Sequence, residues 1–109
     1  KAIRTRNGHT ILFNDKGDAG LLEIYDNKNN TYHITLSADD KKITIYSAGN
    51  VEVVAKNNIN VSADGNIDVI AKGDIGVNAD GNIGIKSKGN ISMEAKKEVS
   101  IQASKVKVR

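Results

Sequence analysis

The stretch from Ile43 to Val106 consists of eight consecutive blocks of eight residues, and this period restricts the folds open to the chain. The first and third positions of the blocks hold fifteen Ile or Val residues and one Met, Met93. Position five is Ala, except for Ser47 and Ser87, while positions two and four are mostly polar. Because side chains alternate across a strand, positions one, three and five share a face. Each block therefore predicts a β-strand with one apolar face.

The end of each block predicts a turn. Position seven is Gly in five blocks, and position eight is Asn or Asp in six. These residue types tolerate backbone angles that others avoid, so each block is expected to end in a kink. Apolar residues at a spacing of two and eight exclude an amphipathic helix, which needs a spacing of three and four. Blocks that repeat the same pattern predict stacked strands, so we expect residues 43–109 to form an octapeptide-repeat β-helix shaft and tip.

The predicted core of the shaft consists of the residues at positions one and three. They are Ile43, Ile45, Val51, Val53, Ile59, Val61, Ile67, Val69, Ile75, Val77, Ile83, Ile85, Ile91, Met93, Val99 and Ile101. Two arrangements would bury them. One chain could coil into a triangular prism with three blocks per turn, or three intertwined chains could form the same cross-section. A lone chain buries its apolar residues incompletely and leaves open strand edges, which favours the trimer, but the repeat itself leaves both arrangements open.

Residues 1–42 are less regular and predict an all-β collar at one end of the shaft. Three segments have the alternation and bounding turn residues of strands: Thr10–Phe13, Gly20–Tyr25 and Tyr32–Leu36. Residues 37–42 predict a turn that leads into Ile43. Because the sequence begins with Lys1 and shows no signal peptide, we expect it to be a fragment of a longer protein.

Composition limits the chemistry that this chain could perform. Cysteine is absent, so no disulfide or thiolate metal site is possible. The only histidines, His9 and His33, lack the spacing of metal ligands, and no Ser, His and Asp set stands out. His33 lies in an alternating strand and is expected to have a structural role. The sequence therefore predicts neither an enzyme nor a bound cofactor or metal.

The C-terminal part of the sequence is basic. From Lys86 to Arg109 there are seven cations and two acids, a net charge of +5. Such a segment either meets an acidic partner or lipid surface, or keeps a stack of strands soluble, and we favour the second interpretation. No aromatic residues interleave with the cations, so nucleic acid is not an expected partner.

The N-terminal part resembles a known family of spike proteins. Gly8-His9-Thr10-Ile11-Leu12-Phe13-Asn14-Asp15 is similar to the GH-x-I-x-x-x-D opening that follows the OB-fold in valine–glycine repeat protein G (VgrG) spikes. Residues 22–26 resemble the strand after it, and the Asn-Ile-x-Val-x-Ala-x-Gly octads resemble the shaft. The resemblance covers about residues 7–106 and extends to the central spikes of contractile phage tails. It implies a homotrimeric, intertwined triple-stranded β-helix, a triangular β-prism, with residues 1–42 following an OB-fold that is absent from this sequence.

The resemblance also implies a role and partners. Members of this family pierce membranes at the tip of a type VI secretion system, a phage tail or a related injection particle. We therefore expect a secreted or particle-associated structural protein, carrying cargo and attached to the hub and OB domains of its parent. Some phage spikes end in a His-x-His iron site, which this sequence lacks. The alternative is a secreted adhesin of the filamentous haemagglutinin type, which has one chain per β-helix and a longer period. The strict octads and the Gly8-His9 pair favour the spike.

The last residues of the chain are the expected site of a tip protein. Val106 and Val108 alternate with Lys105, Lys107 and Arg109 where the repeat decays. In spikes of the resembled family, a conical cap protein with a Pro-Ala-Ala-Arg (PAAR) motif covers this blunt end. Val106, Val108 and Arg109 are thus predicted to dock such a cap. A frayed, solvated terminus is the alternative, and the sequence leaves both open.

Overall fold

The computed structural model describes all residues from Lys1 to Arg109, and it is all-β. Five strands form one antiparallel sheet in the order β1-β2-β3-β4-β5, each strand pairing with the next along the chain. The strands are β1 (Ala2–Arg4), β2 (His9–Asn14), β3 (Leu21–Asp26), β4 (Tyr32–Ser37) and β5 (Lys42–Ser47). No helix of the structure has the length and apolar character needed to cross a bilayer.

The three strands predicted in residues 1–42 are confirmed, with ends that differ by one residue or so. Their short runs alternate apolar and polar side chains and are separated by Asn, Asp and Gly, which favours antiparallel hairpins. Strand β1 was not predicted, because three residues are too few to show a period. Strand β5 contains the first five residues of the first octad and pairs with β4 in the register Ile34↔Ile45 and Leu36↔Ile43.

The register gives the sheet one aliphatic face. Residues directly paired across strands point to the same side, so a row runs through Ile3, Ile11, Ile24, Ile34 and Ile45. A second row on this side consists of Phe13, Leu22, Leu36 and Ile43. We call these nine residues the aliphatic face. The opposite side is largely polar, and there His33 stacks on Tyr25 with ring centroids 5.3 Å apart.

Two turns hold the hairpins together through local contacts. Gly8, before β2, has a φ of 91°, and a Cβ there would lie 2.5 Å from the Asn27 side-chain oxygen and 2.8 Å from Lys28 Cγ. Glycine is therefore required at this position of the Gly8-His9 pair. In the turn after β3, the Asp26 carboxylate accepts bonds from the Thr31 hydroxyl at 2.8 Å and the Lys28 amide at 3.0 Å. These hydrogen bonds hold the pKa of Asp26 below its ordinary value.

The octads after β5 have a regular backbone without internal pairing. The chain divides into two units, Lys1–Ser62 and Ala63–Arg109, and the octads run through both. Bends recur at 48–49, 56–57, 64–65, 72–73, 80–81, 88–89, 96–97 and 104, which are positions six and seven of the first seven blocks and position six of the last. One kink per block is thereby confirmed, but it lies at positions six and seven and not at positions seven and eight, where Gly and Asn or Asp predicted it. No backbone hydrogen bond joins any two residues between 49 and 109, so the ladders of a β-helix are not formed within one chain.

Candidate assembly interface

The residues predicted for the shaft core form a regular, uncovered apolar surface. In the seven octads from Val51 onward, the position-one side chains are 51–60% exposed and the position-three side chains 66–73% exposed. Ile43 and Ile45 in β5 are similarly open. The outward apolar residues Val54 and Ile70, at position four, are 87% and 90% exposed. Positions one and three therefore share a more sheltered face of the chain, but nothing within the chain covers that face.

The chain has no hydrophobic core of its own. No apolar side chain is buried, and the buried residues with polar side chains are Thr10 and Asp26. The accessible surface is 11114 Å². A folded monomer of 11.7 kDa exposes about 5,900 Å², and its extended chain about 17,000 Å². The surface that the chain leaves open is therefore nearly twice that of a self-sufficient domain.

The aliphatic face of the sheet is a second open apolar surface. Ile3, Ile11, Phe13, Ile43 and Ile45 on it are 37–68% exposed, and its central residues are only half-buried. Sequence reasoning missed this surface as a candidate site, although it identified three of the strands that carry it. The available signal was the pair of apolar residues at i and i+2 in each of four successive strands. Ile43 and Ile45 belong both to this face and to the predicted shaft core.

The backbone beyond β5 offers unpaired hydrogen-bonding groups along its length. Ala48 N–H donates to the Thr31 carbonyl at 2.9 Å. After it, the backbone N–H groups that donate hydrogen bonds within the chain are those of Gly49 to the Ser47 hydroxyl and Gly89 to the Ser87 hydroxyl, each at 3.1 Å. Apolar side chains and open N–H and C=O groups thus lie along the same segment. A strand with these two properties is a template for pairing with another strand.

At the C-terminal end, the predicted cap-docking residues are exposed. Val106 is 56% exposed and Val108 is 91% exposed, and Arg109 also lies open to solvent. Their assignment to a docked cap stays a prediction. None of the cations between 83 and 109 forms an ion pair within the chain, because the one ion pair present joins His33 and Glu23.

The two histidines lie on opposite sides of the sheet. His9 Nδ1 is 2.8 Å from the Tyr32 hydroxyl, and the two rings stack at 5.7 Å. His33 Nε2 lies 3.0 Å from Glu23 Oε1 on the polar side. No group of three or more His, Asp or Glu side chains comes together. Both histidines make hydrogen bonds across strands, which is how a polar side chain supports a sheet.

A comparison with known protein families, with curated proteins and with solved structures finds no match for this chain.

Proposed function

We propose that three copies of this chain intertwine into a triangular β-prism that serves as the rigid piercing shaft of a contractile injection machine. The observation that carries the proposal is the uncovered apolar surface that repeats every eight residues beside an unpaired backbone. In the assembly, positions one and three of three chains meet at the axis, and each strand bonds to strands of the other two chains. The assembly would thereby cover the apolar surface and pair the open backbone groups at the same time.

The lack of internal pairing supports three chains over one coiled chain. In a single-chain prism with three octads per turn, each strand bonds to the strand three octads earlier in the same chain. No such bond exists between any residues from 49 to 109. The same observation weighs against the adhesin alternative, in which one chain forms the whole β-helix. This supports the proposal that the partners of the octads are other copies of the chain.

A prism of this kind suits a mechanical role. Eight octads stacked at about 4.8 Å per strand give a shaft of about 38 Å. The strands between the two ends of the shaft are each fixed on both sides by another chain, so none of them can detach without breaking contacts to its neighbours. The resemblance in Gly8-His9 and the octads supports placing this shaft at the tip of a secretion-system or phage-tail spike, below hub and OB domains and near a target membrane.

The mass in solution tests the assembly on which this function depends. We expect light scattering of the purified chain to give about three times the chain mass of 11.7 kDa. A mass of one chain, with the protein folded, would contradict the proposal and favour the single-chain adhesin. Maltose-binding protein of known mass, measured in the same buffer, controls for calibration.

The open C-terminal end is proposed to dock a conical cap. Three copies of Val106 and Val108 would present an apolar triangle with Arg109 at its rim, where strand edges are also unpaired. Deleting residues 106–109 is expected to abolish binding of a purified PAAR-motif protein and to leave the trimer intact. Pull-down and light scattering of the same samples measure the two effects.

Matched variants separate the apolar anchors from the charges at this end. Val106→Ser with Val108→Ser should weaken cap binding strongly, because the apolar contact is lost. Arg109→Gln should weaken it less, because a rim cation contributes little. Undiminished binding to the truncated chain would place the docking site elsewhere.

A further inference from the structure

The charged residues at the bends divide the octads into an acidic region and a basic region. Position six, the first residue of each bend, holds Asp64, Lys72, Asp80, Lys88 and Lys96 in five consecutive octads. The first four alternate in sign, but Lys88 is followed by a second lysine. Net charge changes at the same place. Residues 43–82 contain two lysines and five acids, a net charge of −3, whereas residues 83–109 contain seven cations and two acids, a net charge of +5.

Stacking of the octads would place the charged residues at position six next to one another. In the proposed trimer, each octad lies about 4.8 Å from the following octad of another chain. Position six comes after the inward residue at position five and therefore points outward along an edge of the prism. Lys72 then lies between Asp64 of one neighbouring chain and Asp80 of the other, so its charge is neutralised. Lys88 lies between Asp80 and Lys96, whereas Lys96 has only Lys88 and Ser104 as neighbours at this position, and like charges on adjacent strands repel.

We call residues 83–109 the basic region. Its cations are exposed, and none is paired within the chain. Position seven adds a second stack of like charges, Lys97 followed by Lys105. Three copies give fifteen net positive charges over the last octads of the shaft. Repulsion of this kind is relieved when an extended anionic surface approaches from outside.

We propose that the basic region binds the anionic headgroups of a lipid bilayer. The inference rests on the proposed function, because the trimer creates the lysine columns. Lysines close to an anionic bilayer add to its binding individually, and an array of them adds up. The region contains no Phe, Tyr or Trp on which nucleic acid bases could stack. A lipid surface therefore fits this composition better than a nucleic acid does.

Two matched single substitutions test the assignment. Both Lys96→Gln and Lys72→Gln remove one lysine from position six and change the net charge equally. Co-sedimentation with phosphatidylglycerol–phosphatidylcholine vesicles measures binding, and vesicles of phosphatidylcholine alone serve as the uncharged control. Lys96→Gln is expected to weaken binding to the anionic vesicles about fivefold or more, with an unchanged or raised melting temperature. Lys72→Gln should leave vesicle binding unchanged and lower the melting temperature, because Asp64 and Asp80 lose a partner.

Other outcomes would overturn the proposal. Equal weakening by both substitutions would mean that only net charge matters, and an absence of binding to anionic vesicles would remove the lipid surface as a partner. Tighter binding to duplex DNA than to the vesicles would identify a polyanion of a different class. Light scattering of the same samples distinguishes failure of the proposed function from failure of the lipid assignment. A monomer would refute the proposed function, whereas a trimer that does not bind anionic vesicles would refute only the lipid assignment.

Discussion

Val69→Asp is expected to prevent assembly of the chain, giving monomers or aggregates in place of the trimer that we propose for the unmodified chain. Val69 occupies position three of the fourth octad and is 71% exposed in the single chain. In the proposed prism, threefold symmetry would bring its three copies together at the axis. An aspartate there would place three carboxylates close together in an apolar interior. Burial of an unpaired ion costs several kcal/mol, so about three times that cost opposes each trimer.

The adjacent residue provides the control for this substitution. Ile70 has the opposite parity and is 90% exposed, so Ile70→Asp should leave the trimer intact. The two variants have the same net charge, and their substituted positions are adjacent in the sequence. Light scattering measures assembly, and circular dichroism reports whether strands form. A soluble, folded trimer of Val69→Asp would contradict the inward assignment of positions one and three.

Much of the local structure could be predicted from the sequence because it depends on short-range patterns. The strands at Thr10–Phe13, Gly20–Tyr25 and Tyr32–Leu36 follow from alternation between turn residues. The recurrence of one bend per block follows from the eight-residue period, although the bends lie one position earlier than Gly, Asn and Asp predicted and also occur at Lys96–Lys97 and Ser104. Strand β1 was missed because Ala2–Arg4 is too short to show a period. Its position depends on pairing with β2, such as Ile3 with Ile11, which no local pattern encodes.

The candidate interface was only partly predictable, for a physical reason. The parity of Ile67 and Val69 indicates which side chains share a face, and in the structure that face is less exposed than Ile70 on the other side. Alternation of side chains can be read within one strand. The number of chains in the assembly depends instead on whether the neighbouring strand belongs to the same chain or to another. The aliphatic face of the sheet required the register between strands, for example Ile24 with Ile34. Register becomes visible only when hairpin lengths and turn conformations are known.

The position of Gly8 illustrates how a family-like motif can be explained by backbone geometry. In sequence, Gly8-His9 is only a resemblance to a spike opening. In the structure, the positive φ of Gly8 and its closeness to Lys28 exclude a side chain, and His9 contacts Tyr32. The pair therefore joins the β1–β2 turn to the β3–β4 turn, whatever the function of the assembly. Its resemblance to the spike family supports the proposed function only together with the octads.

The assembled shaft is expected to resist dodecyl sulfate, so that an unboiled sample migrates at about three chain masses and a boiled one at 11.7 kDa. From residue 49 onward the single chain has no backbone–backbone hydrogen bonds of its own, so all the strand ladders of the shaft in this segment would join different chains. Releasing one strand then breaks its bonds to two neighbours and uncovers side chains such as Ile75 and Val77. Each of these loses about 1 kcal/mol or more of burial, and local opening gains little chain entropy while both ends stay bound. The barrier to unfolding is therefore high, and resistance should appear as a slow rate of unfolding.

Incubating unboiled samples for increasing times at several temperatures measures that rate, with unboiled Val69→Asp as the matched control for gel mobility. Immediate migration of the unmodified chain as a monomer would remove the main support for intertwined strands.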